Sequence, residues 1–312
     1  MRLGAVWTTG TIKNSEILDL MFTDSLDIPF LQRWVGRTEI CHDTTHASAA
    51  VALAATLDHK HQLQAGTELP PLWHWIYFWS AAVQSEIGGD GHPQRGDFLP
   101  PVPLPRRMWA GGRLNFSHAL PIGASATRTS RIVSVTGKRG QSGHLAFVVV
   151  KHEIVYNDVL AITEEQDIVY RAAPQPGAVA PAPKLAPAVS MWSRTVYPDP
   201  VLLFRYSALT FNGHRIHYDR NYATGVEAYP GLIVHGPLIA TLLVDLLLQH
   251  IPAARLAEFS FRAIGPLFDN EPFEICAQPS DERKKVLLWA KNPRGELAMQ
   301  AEATLIAPST YE

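Results

Sequence analysis

Residues 204–237 read Phe204-Arg-Tyr-Ser-Ala-Leu-Thr-Phe-Asn-Gly-His-Arg-Ile-His-Tyr-Asp219, then Arg220-Asn-Tyr-Ala-Thr-Gly-Val-Glu-Ala-Tyr-Pro-Gly-Leu-Ile-Val-His-Gly-Pro237. Asn212, His214, His217, Asp219 and His235 fall within 24 residues of this stretch. Gly213, Gly225 and Gly231 make parts of it turn-prone. It runs into an apolar segment, residues 236–250, with Pro237 at a position the first helical turn tolerates, which predicts a helix. A polar, titratable loop leading into an apolar helix is where sites are often built. His217 is the best general acid/base, because imidazole titrates near neutral pH. At the Gly236 region, the helix start offers unpaired N–H groups and a positive dipole end to a carbonyl oxygen, with His235 beside it. A base next to such an oxyanion site suits proton chemistry beside a thioester, whose α-carbon is acidic. Taken singly, each histidine reads as structural; only the block as a whole points to a site.

Working outward, residues 172–188 carry five prolines among Ala, Gly and Gln, which predicts a semi-rigid linker between two units, 1–171 and 189–312. The order of elements is comparable in both. In the first, residues 47–57 are Ala-rich and helical in character, and β-like runs follow at 112–116, 127–135, 145–156 and 159–170. Residues 137–143 supply a turn. In the second, the 236–250 helix precedes β-like runs at 258–262, 273–278, 285–291 and 297–305, with a hairpin turn at Asn292-Pro-Arg-Gly295. Arg113-Leu-Asn-Phe-Ser-His-Ala-Leu-Pro121 and Glu258-Phe-Ser-Phe-Arg-Ala-Ile-Gly-Pro266 share a pattern that suggests duplication. The expectation is an α+β protein: two antiparallel sheets, each wrapped around one apolar helix.

Composition narrows the function classes. Lys plus Arg is 27, Asp plus Glu is 29, and the net charge is −2, so no basic excess supports a nucleic-acid partner or an anionic membrane surface. Residues 232–251 resemble a membrane span, but His235, Asp245, Gln249 and His250 would be costly in lipid, so a buried helix is expected. No secretory leader is read at residues 1–14, and Cys41 and Cys276 form no CxxC pair, which fits a reducing, cytoplasmic setting. No phosphate-binding loop, dinucleotide fingerprint, HExxH or GxSxG is present, so no cofactor is expected. Gly88-Gly-Asp-Gly91 reads as an ordinary loop. No metal is expected either, since a structural zinc wants four ligands and no Cys lies near the histidines.

The block resembles the MaoC-like hydratase/dehydratase family, a branch of the hot-dog fold. Thr210, Asn212 and His217 fall on that family's hydratase motif without gaps, and His235-Gly236 on its later His-Gly pair. Residues 72–78, 95–100 with 108–112, and 209–219 are similar to the subgroup of itaconyl-CoA and mesaconyl-C4-CoA hydratases and type 2 3-hydroxyacyl-thioester dehydratases. The resemblance implies a double hot dog whose first unit helps form the acyl-CoA tunnel and whose second carries the site. It implies an acyl-CoA substrate and hydration of itaconyl-CoA or mesaconyl-C4-CoA to citramalyl-CoA. The alternatives are an aliphatic 3-hydroxyacyl-thioester dehydratase, a thioesterase and a non-catalytic acyl-binding subunit. Many family members carry Asp where this chain has Asn212, which cannot accept a proton as a carboxylate does. His217 is therefore expected to take a proton from water and return one, with Asp219 orienting it or standing in for the missing carboxylate. A substrate carboxylate would want an Arg fork, and Arg205 and Arg215 are the nearest candidates, with His214 and Tyr206 also facing substrate. Monomer and homo-oligomer both stay open.

Overall fold

The computed structural model describes residues 26–60, 63–140, 143–173, 182–282 and 284–306. Ten strands form one antiparallel sheet. Five come from the first half: β1 (Thr38–Thr44), β2 (Arg106–Phe116), β3 (Ser125–Gly140), β4 (Gly143–Tyr156) and β5 (Val159–Arg171). Five come from the second: β6 (Trp192–Val196), β7 (Leu256–Ala263), β8 (Phe273–Pro279), β9 (Lys285–Lys291) and β10 (Leu297–Leu305). Their spatial order is β1-β3-β4-β5-β2-β7-β10-β9-β8-β6. Read inward from either edge, each half places its first, third, fourth, fifth and second strand in turn. The halves therefore share one topology and meet where their second strands, β2 and β7, pair antiparallel. The two segments whose sequences suggest duplication are these central strands, with Leu114 opposite Phe259 and Arg113 opposite Ser260. This is the double hot-dog arrangement.

Among the described residues the α-helices are α1 (Ile28–Leu31), α2 (Ala47–Thr56), α3 (Pro200–Leu209), α4 (Arg220–Gly225) and α5 (Gly236–His250). In α5, ten consecutive residues from Leu238 to Leu247 are buried, as expected of a helix that is apolar all round and lies inside a core. Its leucines and isoleucine each contribute roughly 1.5–3 kcal/mol on burial. It packs against β6, β8, β9 and β10. Asp245 on α5 is ion-paired with Arg194 of β6 (2.9 Å) and with His59 (2.6 Å). No helix among the described residues is long and apolar enough to cross a membrane.

The eight β-like runs are all strands, and both apolar segments are helices. β1 and β6, the two edge strands, and α3 go beyond those expectations. α3 had a readable start: Asp199 accepts hydrogen bonds from the Val201 and Leu202 N–H groups, and Pro200 opens the first turn. Among the described residues, the first half has no counterpart to α5 in length. α2 spans ten residues, and the described residues between 57 and 105 run as loop with two short 3-10 turns. The Pro-rich segment lies partly outside the described residues; within them, Leu185 bridges to Glu296. Cys41 is half-buried and Cys276 buried, both as free thiols.

Candidate active site

A cleft of about 2300 Å³ runs between the halves, lined by β2, β5, the 74–105 loop, the 204–218 segment and the start of α5. His217 lies on its wall and is otherwise buried. It ends a short 3-10 turn, residues 215–217, and its Nδ1 lies 2.7 Å from the Ile233 carbonyl. A carbonyl only accepts, so Nδ1 carries the hydrogen and Nε2 keeps a bare lone pair. Burial lowers the pKa of His217 to about 4, against the Ile233 hydrogen bond, which favours the charged form. The imidazole is therefore neutral at physiological pH and can take a proton from water.

Two neighbouring rings hold it in place. His235 stacks on it at 3.7 Å between centroids, with 18° between planes. The His235 Nε2 bonds the Ser207 hydroxyl at 2.8 Å, and Tyr206 meets the ring edge-on at 5.1 Å. Burial, then the His217 and His214 charges, keep His235 well below its ordinary pKa. His214 packs edge-on to His217 at 5.4 Å, and burial with the neighbouring histidines lowers it to about 2.

Asn212 also faces the cleft. Its side-chain oxygen accepts the His214 N–H (3.0 Å), an Asx turn that leaves the amide NH2 free to donate. Thr210 donates its hydroxyl back to the Tyr206 carbonyl (2.8 Å). Gly236 lines the cleft at the first position of α5, where the N–H has no intrahelical acceptor. His217, His235, Asn212, His214, Tyr206 and Gly236 are thus brought together.

Asp219, Arg215 and Arg205 are not brought there. Asp219 accepts the Tyr222 N–H, capping α4, and is ion-paired with Arg215 at 2.7 Å. The Ile233 carbonyl, not Asp219, holds the His217 ring. Arg215 is spent on Asp219 and on the Gly89 carbonyl (3.0 Å). Arg205 is exposed on α3 and does not line the cleft.

The sequence reading passed over one part of the site. The loop at Gly88-Gly-Asp-Gly91, read as ordinary, is fastened to the second-half motif. The Arg215 N–H donates to the Asp90 carbonyl (2.9 Å). Gly91, at φ +89°, sits so close that a Cβ would come within 1.8 Å of the Gly213 oxygen. His92 faces His214 at 4.0 Å, and its Nδ1 bonds Asp90 at 3.0 Å. Burial and the Arg107 charge bring His92 to about 4. Asp90, His92 and His214 carry ligand atoms within 4.8 Å of one another, the set among the described residues that could hold a metal. The Asp90 carboxylate is already engaged by the N–H and Nδ1 of His92, and the positive Arg107 acts on both histidines. That arrangement favours an Asp–His pair over a cation. Further along the cleft, Glu164 is buried between His74 (3.0 Å) and Trp75 (3.0 Å).

The fold is a double hot dog, and His217 and the start of α5 line one cleft. The chain belongs to the hydroxyacyl-thioester dehydratase type 2 family, whose model matches residues 72–269. It is 51 % identical over 276 residues to a mesaconyl-C(4)-CoA hydratase of Chloroflexus aurantiacus, covering 87 % of this chain and 96 % of that one. Among solved structures it is similar to a MaoC-like dehydratase from Phytophthora capsici (TM-score 0.66, 13 % identity, 91 % of this chain and 100 % of that one). It is also similar to a double hot-dog protein of Mycobacterium tuberculosis (TM-score 0.54, 14 % identity, 87 % and 96 %). The protein is an enzyme of the hydro-lyase class.

Proposed function

We propose that the cleft hydrates a C5 dicarboxylic enoyl-CoA, mesaconyl-C4-CoA or itaconyl-CoA, to citramalyl-CoA. The 51 % identity to a mesaconyl-C(4)-CoA hydratase supports the substrate, and the observation that carries the hydration step is His217, its Nδ1–H fixed on the Ile233 carbonyl and its ring on the same cleft as Gly236. With mesaconyl-C4-CoA, the His217 Nε2 takes a proton from water and the water oxygen bonds the β-carbon. The double-bond electrons pass through the α-carbon to the thioester oxygen, where the Gly236 N–H and helix dipole stabilise the enolate. The imidazolium then returns its proton to the α-carbon, so H and OH add across the double bond and His217 is regenerated. Asn212 donates its amide hydrogen to the water or the thioester oxygen, a role that needs no carboxylate. His235 and Tyr206 position the base, and His214 faces the reacting end of the substrate.

The test follows loss of enoyl absorbance with itaconyl-CoA, mesaconyl-C4-CoA and crotonyl-CoA side by side. H217A is expected to lose about 100-fold to 10,000-fold in kcat, the range of general acid–base catalysis. N212A should lose less, and D219A should stay near wild type apart from a small loss of stability. Wild-type kcat in H217A overturns the assignment. Fastest turnover of crotonyl-CoA would favour an aliphatic dehydratase, and release of free CoA without loss of enoyl absorbance a thioesterase. No turnover by the wild type would point to an acyl-binding subunit.

A further inference from the structure

Six arginines of the first half line the cleft, and Arg95, Arg106 and Arg107 among them differ in what holds them. Arg95 donates to the Val102 (2.7 Å) and Pro105 (3.0 Å) carbonyls and lies over the Tyr170 ring. Arg106 is ion-paired with Glu227 at 2.7 Å and lies over Tyr229. Arg107, the next residue on β2, is half-buried, and among the described residues its side chain makes no hydrogen bond or ion pair. A half-buried guanidinium that lines a cleft with no protein counter-charge is placed to receive an anion.

We propose that Arg107 binds a free carboxylate of the substrate, borne on the carbon that receives the hydroxyl group, and so sets the specificity of the cleft for dicarboxylic enoyl thioesters. This rests on the function proposed above. In mesaconyl-C4-CoA and itaconyl-CoA alike, the carboxylate and the incoming hydroxyl share one carbon. The cation that holds the carboxylate must therefore lie beside the base, not at the far end of an acyl tunnel. Arg205 and Arg215 fail that requirement, one exposed outside the cleft and the other spent on Asp219. Arg107 meets it: its charge reaches His92 and His214, and the His214 ring touches His217. A guanidinium also presents the planar fork that a carboxylate fits. A monocarboxylic thioester leaves the Arg107 charge unopposed next to a histidine that must become positive during the reaction. A dicarboxylic one neutralises it, so discrimination falls on the transition state as well as on binding.

The experiment compares kcat/KM for mesaconyl-C4-CoA and crotonyl-CoA in wild type, R107Q and R107K, with thermal melts to check folding. Wild type is expected to prefer mesaconyl-C4-CoA. R107Q should lose about 100-fold or more on that substrate, the size expected when one partner of a buried charge pair is removed. On crotonyl-CoA it should match or exceed wild type, since the unopposed charge is gone, and R107K should keep part of the preference. An equal loss on both substrates would assign Arg107 to the shared CoA moiety and overturn the proposal. A preference that survives intact in R107Q overturns it while leaving the hydratase reading standing. Wild type without any preference removes the dicarboxylic reading itself, and this inference with it.

Discussion

At the scale of the residue, His217, the base we propose, is held deprotonated. His217 has one nitrogen committed to a backbone carbonyl and the other bare, and burial keeps its pKa near 4. An ordinary imidazole would impose an inflection near pH 6.5 on kcat/KM. Here kcat/KM is expected to stay flat from pH 8 down to about pH 6, since His217 is neutral throughout. A half-maximal point near 6.5, with the protein still folded, would mean that the base is not this buried histidine. Asn212 follows from the same logic. A carboxylate in its place would raise the pKa of nearby histidines, whereas the amide leaves them neutral.

At the scale of the element, the loop at Gly88–His92 joins the halves chemically. Gly91 occupies a left-handed backbone position with a carbonyl at its face, so no side chain fits there. G91A is expected to push this loop off Gly213, lowering kcat by about 10-fold to 100-fold through lost positioning, while the melting temperature moves by only a few degrees. Unchanged kcat would show that the loop is a passive cover. This element also marks where sequence reading ran out. The motif at Thr210, Asn212 and His217 was legible because its residues lie close together in the chain. Asp90, His92 and Arg107 were not, since each is unremarkable locally and gains meaning only when β2 and the loop meet residues over a hundred positions away. Asp219 shows the converse: near His217 in sequence, it faces α4 because an Asp before a helix is taken up by the first-turn N–H groups. α5 was legible from its unbroken apolar run. α3 was missed although Asp199-Pro200 signalled its start, because the polar residues that follow it drew the segment into a loop reading.

At the scale of the whole molecule, five histidines are held neutral by burial first: His92, His152, His214, His217 and His235. Each has a folded pKa below its unfolded value, so the unfolded chain binds more protons as pH falls through 6.5. Their stabilisation is complete above that value and declines from about pH 6.5 toward pH 4, where the folded forms of His92, His152 and His217 begin to protonate. Together they predict a loss on the order of 5 kcal/mol between pH 7 and 5.5, a drop of roughly 10 °C in melting temperature. A melting temperature constant over that interval would contradict the neutral, buried state of these rings. The seam between β2 and β7 has a consequence of another kind. An isolated second half would present β7 as a bare edge, and its natural mate is the β7 of a sister molecule. The product would be a symmetric pair with two copies of His217 and neither Asp90–His92 nor Arg107. Duplication within one chain gives up that second copy of His217, and on the function and specificity proposed above the first half turns to a different trade: gripping and sorting the substrate.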